Sequence, residues 1–255
     1  MRPILFELFG LSFSSARAFA GLSALAAYLV FESRRPTMEL SDDDFWALMG
    51  ALALGVFAGA IGLYALVYGS GPAANLAYWR SRHDIAGGSF LGAWAGGAAA
   101  AALFCRRRGK PFGPVADALG LAAPLGLAVM RIGCLLNGCC YGKPTSLPWG
   151  VTYRLRCAVP AALRGVPLHP TQLYEAAGAL LIFAAVRRLS RPRGSLASGQ
   201  GLLLSAGLYG IVRFALDFVR GGDPGIAVLL GLTLAQWIGG AIFAAAAVHL
   251  LRRRA

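Results

Sequence analysis

Two stretches of this sequence carry side chains able to do chemistry where apolar residues would be expected. The first runs R-I-G-C-L-L-N-G-C-C-Y-G from Arg131 to Gly142, and the second H-P-T-Q-L-Y-E from His169 to Glu175. Arg131 and Glu175 both lie in apolar surroundings, and a buried charge without a partner of opposite sign is strongly destabilising. A third charged position, Arg213, stands midway along another apolar run, with Asp217 one helical turn further on. An arginine at such a depth costs at least ~2.5 kcal/mol on insertion scales, so it needs a counter-charge or a wet cavity. Two accounts of Arg213 stand side by side. It neutralises itself against Asp217 on one helix face, or it holds its guanidinium toward an anionic group. The expectation is that Arg131, Glu175 and Arg213 converge on one cavity.

The neighbours of these charges are suited to a shaped polar site. Gly133, Gly138 and Gly142 allow tight backbone bends as a helix ends. Asn137 can turn a backbone group or bind a ligand oxygen. Pro170 suits a helix start and Thr171 can cap it. His169, Gln172, Tyr174 and Glu175 then form a polar face, although Tyr174 by itself also fits an ordinary interfacial aromatic.

The elements that position these groups must be membrane helices. Of the 255 residues 57% are hydrophobic and only 14% charged, whereas a soluble domain carries roughly a quarter charged residues. The apolar runs are continuous rather than alternating, which favours helices over a closed barrel. Seven spans are expected: Ala16–Phe31, Phe45–Tyr68, Ala86–Cys105, Val115–Leu136, Thr171–Val186, Gly201–Val219 and Ile226–Leu251. The fold class is thus all-α and polytopic, a single membrane domain over residues 1–255 with no soluble domain. Small residues four apart, as in Gly55–Gly59 and Gly92–Gly96, suit close helix packing. The N-terminus does not read as a cleavable signal, because Arg34 and Arg35 follow the first apolar run rather than precede it.

Charge gives the orientation. Arg34 and Arg35, then Arg106, Arg107, Arg108 and Lys110, then Arg187, Arg188, Arg191 and Arg193, then Arg252, Arg253 and Arg254 all fall on one side. Together they are more than half of the 24 basic residues, and that side is expected to be cytoplasmic. The other side holds Arg2, Arg80, Arg82, Lys143, Arg154, Arg156, Arg164 and Arg220. The N-terminus then lies outside and the C-terminus inside. The net charge of +13 is a topology signal rather than a nucleic-acid face. Asp42–Asp44 read as the acidic first turn of the second span, and Arg17 as a side chain that snorkels to the interface.

The five cysteines are Cys105, Cys134, Cys139, Cys140 and Cys157. An odd number does not make a disulfide framework. Cys134, Cys139, Cys140 and Cys157 fit small buried thiols best, with an extracytoplasmic disulfide or a metal set as alternatives. Adjacent cysteines seldom serve one metal, so no metal and no cofactor is expected.

Taken together, the two motifs resemble the prolipoprotein diacylglyceryl transferase family. H-P-T-Q-L-Y-E is similar to that family's H-P-[ST]-Q-L-Y-E, and Arg131 to Gly142 is similar to its G-R-[IL]-G-N-F-x-N-x-E-x-x-G signature. Tyr209-Gly-Ile-Val-Arg213 through Asp217 and Arg220 resembles its Y-G-x-x-R-x-x-x-E-x-x-R run. Leu54–Gly59 and Ser89-Phe90 align with further family segments. The resemblance covers nearly the whole chain in order. Arg131, Asn137, Gly142, His169, Gln172, Tyr174, Glu175 and Arg213 are retained. Leu91 stands where the family has His, Ala20 where it has Tyr, Cys134 where it has Asn, Cys139 where it has Glu, Asp217 where it has Glu, and Ile61 where it has a cationic residue.

The resemblance implies an activity and a set of roles. Diacylglyceryl would pass from phosphatidylglycerol to a cysteine thiol of a prolipoprotein signal peptide, in the inner membrane of a bacterial cell. Arg131 and Arg213 would hold phosphate. Asn137, Gly142, Gln172, Tyr174, Tyr209 and Asp217 would shape the substrate site. Glu175 would orient an arginine, and His169 would serve as base for the thiol. Two other readings stand beside this one: a divergent homologue with another lipid donor or acceptor, and a non-enzymatic lipid-binding or channel-like membrane protein.

Overall fold

The structure is a computed structural model that describes residues 4–8, 11–68, 89–154, 157–190, 196–221 and 227–252. Arg2, Arg80, Arg82, Arg156, Arg191, Arg193, Arg253 and Arg254, and the expected span starts Ala86 and Ile226, lie outside the described residues.

The described residues contain seven α-helices. They are α1 (Ser15–Glu32), α2 (Asp42–Tyr68), α3 (Phe90–Arg108), α4 (Phe112–Asn137), α5 (Thr171–Leu189), α6 (Gln200–Asp217) and α7 (Leu234–Arg252). Each of the seven expected spans corresponds to one helix. Three of them, Asp42–Ala65, Phe112–Asn137 and Leu234–Arg252, are long and apolar enough to cross a membrane on length and composition alone.

The helix ends follow from local chemistry. Ser14 and Ser89 cap α1 and α3 by accepting from the backbone N–H of Arg17 and Gly92. Gly109 and Gly138 end α3 and α4 in the left-handed conformation that glycine adopts without strain. The seventh helix begins later than the apolar run suggested, at Leu234. Before it comes a hairpin of β5 (Ala227–Leu229) and β6 (Leu232–Thr233). Thr233 and Gln236 set the boundary as a reciprocal capping box: the Thr233 N–H donates to Gln236 Oε1, and the Gln236 N–H donates to Thr233 Oγ1. The T-x-x-Q spacing carried that signal, and apolar continuity obscured it. Two further short hairpins lie outside the helices: β1 (Ile4–Leu8) with β2 (Leu11–Ser14), and β3 (Val151–Thr152) with β4 (Pro167–Leu168).

Helix α4 is the centre of the bundle and packs on α1, α3, α5 and α6. It is the most buried of the three membrane-length helices, while α2 and α7 present most of their apolar surface outward. Small residues make the closest crossings. A Cβ on Gly55 would lie 2.6 Å from the Gly96 carbonyl oxygen, and Gly59 faces Gly92 in the same way, so the α2 and α3 backbones touch. Gly210 and Gly239 do the same for α6 and α7.

One end of the bundle is tied by charges. Asp44 in the first turn of α2 pairs with Arg108 and Lys110, at 3.4 and 3.2 Å, and Asp42 pairs with Arg35. Asp117 caps the start of α6, accepting from the Gly199 and Gly201 N–H groups at 2.9 and 2.8 Å. The acidic first turn of α2 thus both compensates the helix dipole and anchors a neighbouring helix end. Cys105 sits in the apolar cluster at this end and is 1% exposed.

Candidate active site

The opposite end of the bundle holds the two motifs, and the backbone brings them together. The segment after α4 passes between two others. The Gly142 N–H donates to the His169 carbonyl at 2.9 Å, and the His169 N–H returns to Lys143 at 3.0 Å. On its other edge the Lys143 N–H donates to Val219 at 2.8 Å, and the Gly221 N–H donates to Tyr141 at 3.0 Å. This narrow clamp joins the end of α4, the start of α5 and the end of α6. It has no room for a side chain at Gly142, where a Cβ would lie 2.6 Å from the His169 carbonyl oxygen and 2.8 Å from that of Val219.

Side chains lock the same loop from within. Gln172, fully buried, donates through Nε2 to the Cys139 carbonyl at 2.7 Å and to the Tyr153 hydroxyl at 3.0 Å. Thr171 Oγ1 donates to the Cys140 carbonyl at 2.6 Å. Burial pushes the Tyr153 phenol up to about 12, so it stays protonated across the physiological range. Gln172 is therefore a brace for the loop. Asn137 ends α4, and its carbonyl accepts from the Ala158 N–H at 3.0 Å.

Glu175 is the focus of the charges. It is 1% exposed. Arg131 Nη2 donates to its Oε1 at 2.9 Å, and Arg131 Nε stands 2.9 Å from Oε2. The Tyr209 hydroxyl donates to Oε1 at 2.8 Å, and Arg220 Nη1 lies 3.7 Å from Oε2. Phe90 holds the Tyr209 ring edge-on, with centroids 5.0 Å apart. Leu91 packs in the same apolar cluster as Tyr209. Two guanidiniums and one carboxylate leave one net positive charge in a low-dielectric setting.

The other expected site residues make two further sets of contacts. Arg213 pairs with Asp217 at 2.5 Å, and Asp217 also accepts from Thr233 Oγ1. Arg131 and Glu175 meet as expected; Arg213 pairs with Asp217 on its own helix, and its charge also acts on Tyr209, which donates to Glu175. Tyr174 and His169 lie at the outer edge. The Tyr174 hydroxyl accepts from the exposed Trp149 Nε1 at 2.6 Å and is 3.3 Å from His169 Nδ1.

By sequence Arg220 stands among the loop charges and at the end of the Y-G-x-x-R-x-x-x-E-x-x-R run, with no role in the site. Its place beside Glu175 comes from the Gly142–Arg220 bridge, which no sequence spacing reveals. The cysteines were not expected to gather either. The Sγ atoms of Cys134, Cys139 and Cys140 all lie within 4.8 Å of one another, and Arg131 Nη1 donates to Cys134 Sγ at 3.7 Å. Cys157 Sγ instead donates to the Arg154 carbonyl at 2.9 Å.

Comparison with known proteins places this arrangement in a family. A sequence model described as "prolipoprotein diacylglyceryl transferase" matches residues 3–252. Three proteins named phosphatidylglycerol–prolipoprotein diacylglyceryl transferase are similar to the chain. That of Aromatoleum aromaticum is 35% identical, with 86% of this chain and 84% of the relative aligned. That of Clostridium tetani is 33% identical, over 88% and 87%. That of Nitratidesulfovibrio vulgaris is 36% identical, over 85% and 77%. With seven helices, a buried arginine–glutamate pair at one end of the bundle, and a match that runs through both motifs, this chain belongs to the prolipoprotein diacylglyceryl transferase family.

Proposed function

We propose that this chain transfers diacylglyceryl from phosphatidylglycerol to a cysteine thiol of a prolipoprotein signal peptide. The observation that carries the reading is the Glu175 cluster, in which one buried carboxylate holds Arg131, Arg220 and Tyr209 in a fixed array. Preorganised cations of this kind stabilise the charge that develops on the phosphate as the glyceryl C–O bond breaks. The thiol sulfur bonds to that carbon, and glycerol phosphate leaves. His169 takes the thiol proton at the outer edge, and Tyr174 and Trp149 bracket the head group. Asn137, Gly142 and Gln172 shape the loop above the phosphate, and Arg213 with Asp217 extends the polar face along α6.

In this reading all seven helices span the bacterial inner membrane, with the N-terminus outside. The basic clusters at the Asp44–Arg108 end support a cytoplasmic position for that end. Since Cys105 is buried, topology is better reported by an exposed position, Ser198. In whole cells a membrane-impermeant thiol reagent should leave Ser198→Cys unmodified until the cells are opened, and should reach Arg164→Cys directly, as read by peptide mapping. The opposite pattern inverts the topology.

The function itself is tested by depleting a host's own transferase while expressing this chain, and by assaying the purified chain in detergent with phosphatidylglycerol and a cysteine-containing signal peptide. Restored growth and a thioether-linked product are expected. A chain that folds and inserts but yields no product from phosphatidylglycerol overturns the reading.

A further inference from the structure

We propose that Cys134, Cys139 and Cys140 form a three-thiolate site for zinc, and that its open fourth position receives the acceptor thiol. The inference rests on the transferase reading above and deepens it. Zinc takes thiolate sulfur at ~2.3 Å, which places the sulfurs of a tetrahedral or trigonal set about 3.8 Å apart. The three Sγ atoms already lie within 4.8 Å of one another, so closing on a metal moves each by less than about 1 Å.

The loop is built to gather them. Neighbouring cysteines rarely face one point, but Cys140 has a φ of 59°, in the left-handed region that a non-glycine residue seldom occupies. Such a conformation persists where its surroundings hold it in place. Here Gln172 and Thr171 fix the carbonyls of Cys139 and Cys140 from below, and Gly138, with a φ of 78°, turns the chain off α4. Cys134 is buried, whereas Cys139 and Cys140 are half-buried, so the site is lined from inside and open toward the loop face. Arg131 Nη1 donates to Cys134 Sγ, as a second layer of donors does to metal-bound thiolates.

The position fits the chemistry. Three thiolates around a divalent cation carry one negative charge, which the one net positive charge of the Arg131–Arg220–Glu175 group beside it would offset. A three-ligand site keeps one coordination place for substrate. A thiol bound there loses its proton outright while its sulfur stays a nucleophile. The balance is simple: the acceptor S–H gives its proton to His169, the sulfur forms the S–C bond, the glyceryl C–O bond breaks with its electron pair going to phosphate, and zinc is neither oxidised nor reduced. The His169 backbone pairs with Gly142, two residues beyond Cys140, and its Nδ1 lies 3.3 Å from the Tyr174 hydroxyl, so the proton acceptor belongs to the same loop assembly. The Cys134 sulfur lies 3.7 Å from Arg131 Nη1, so a metal-bound thiolate would form beside the Arg131–Glu175 pair.

The test uses the full chain in detergent, stripped with a chelator and reduced. One equivalent of cobalt(II) should produce intense thiolate-to-cobalt absorption. Cys134→Ser, Cys139→Ser and Cys140→Ser should each lose it, and Cys105→Ser should keep it. A signal peptide with its cysteine should shift the spectrum, and the same peptide with serine should not. Transfer by the stripped enzyme should fall about 10²-fold and return with zinc. Absence of cobalt–thiolate absorption in the wild-type chain, or its persistence in the serine variants, overturns the site. So does a disulfide among the three in the unreduced protein that blocks metal uptake. Full transfer by the stripped enzyme overturns the metal and leaves the transferase reading standing. Cobalt binding without transfer under any metal loading supports the site and removes the reaction assigned to it.

Discussion

Exchanging Glu175 for Gln is expected to destabilise the protein by about 3–5 kcal/mol, because it strands the buried Arg131 guanidinium without its counter-charge. Arg131→Met should cost a similar amount, since it leaves the carboxylate with Tyr209 and the more distant Arg220. The double variant Arg131→Met with Glu175→Leu removes both charges at once. It should recover most of that stability, because a well-packed apolar pair replaces a buried ion pair at little net cost. Transfer should stay abolished in it. Arg131→Lys keeps a charge but offers a single point rather than a planar fork, and should lose about 10²–10³-fold in transfer. Thermal unfolding and transfer assays on the four variants check this. Recovery of activity along with stability in the double variant would show that the pair only solves its own burial.

The second large effect belongs to Gly142. Gly142→Ala places a Cβ 2.4 Å from His169 Cβ and against the carbonyl oxygens of His169 and Val219, none of which is the far end of a flexible side chain. Relief requires the clamp between the three segments to open, which separates Arg220 from Glu175. A cost of about 1–3 kcal/mol follows from overpacking alone. Transfer should fall by more than the stability loss explains, since the array around Glu175 is disassembled before the bundle melts. Gly50→Ala is the control, because a Cβ there meets nothing within 4 Å. Equal behaviour of the two variants in unfolding and transfer would dismiss the clamp.

Much of the molecule was legible in the residues. Continuous apolar runs specify helices because a bilayer leaves no other partner for backbone N–H and C=O groups. Each described helix lies within or beside one of those runs, and the Gly55–Gly59 and Gly92–Gly96 spacings marked close helix packing, which joins α2 to α3. The Arg131–Glu175 pair was also legible, because a buried charge must find its opposite. The late start of α7 was written in Thr233 and Gln236, although apolar continuity suggested an earlier one.

Tertiary structure alone decided the rest. Arg220 closes the charged run that follows Arg213, but its partner is set by the antiparallel bridge to Gly142 that carries it against Glu175. Arg213 had two possible partners by sequence, and the nearer one on its own helix holds it at 2.5 Å. The three cysteines look mismatched in spacing, since residues 139 and 140 are adjacent and 134 is on the helix. A left-handed turn at Cys140 and the braces from Thr171 and Gln172 bring their sulfurs together. The physical reason is the same in each case. Periodicity and burial cost act along one segment and can be read there, whereas loop conformation and the choice among several partners depend on contacts between segments far apart in the chain.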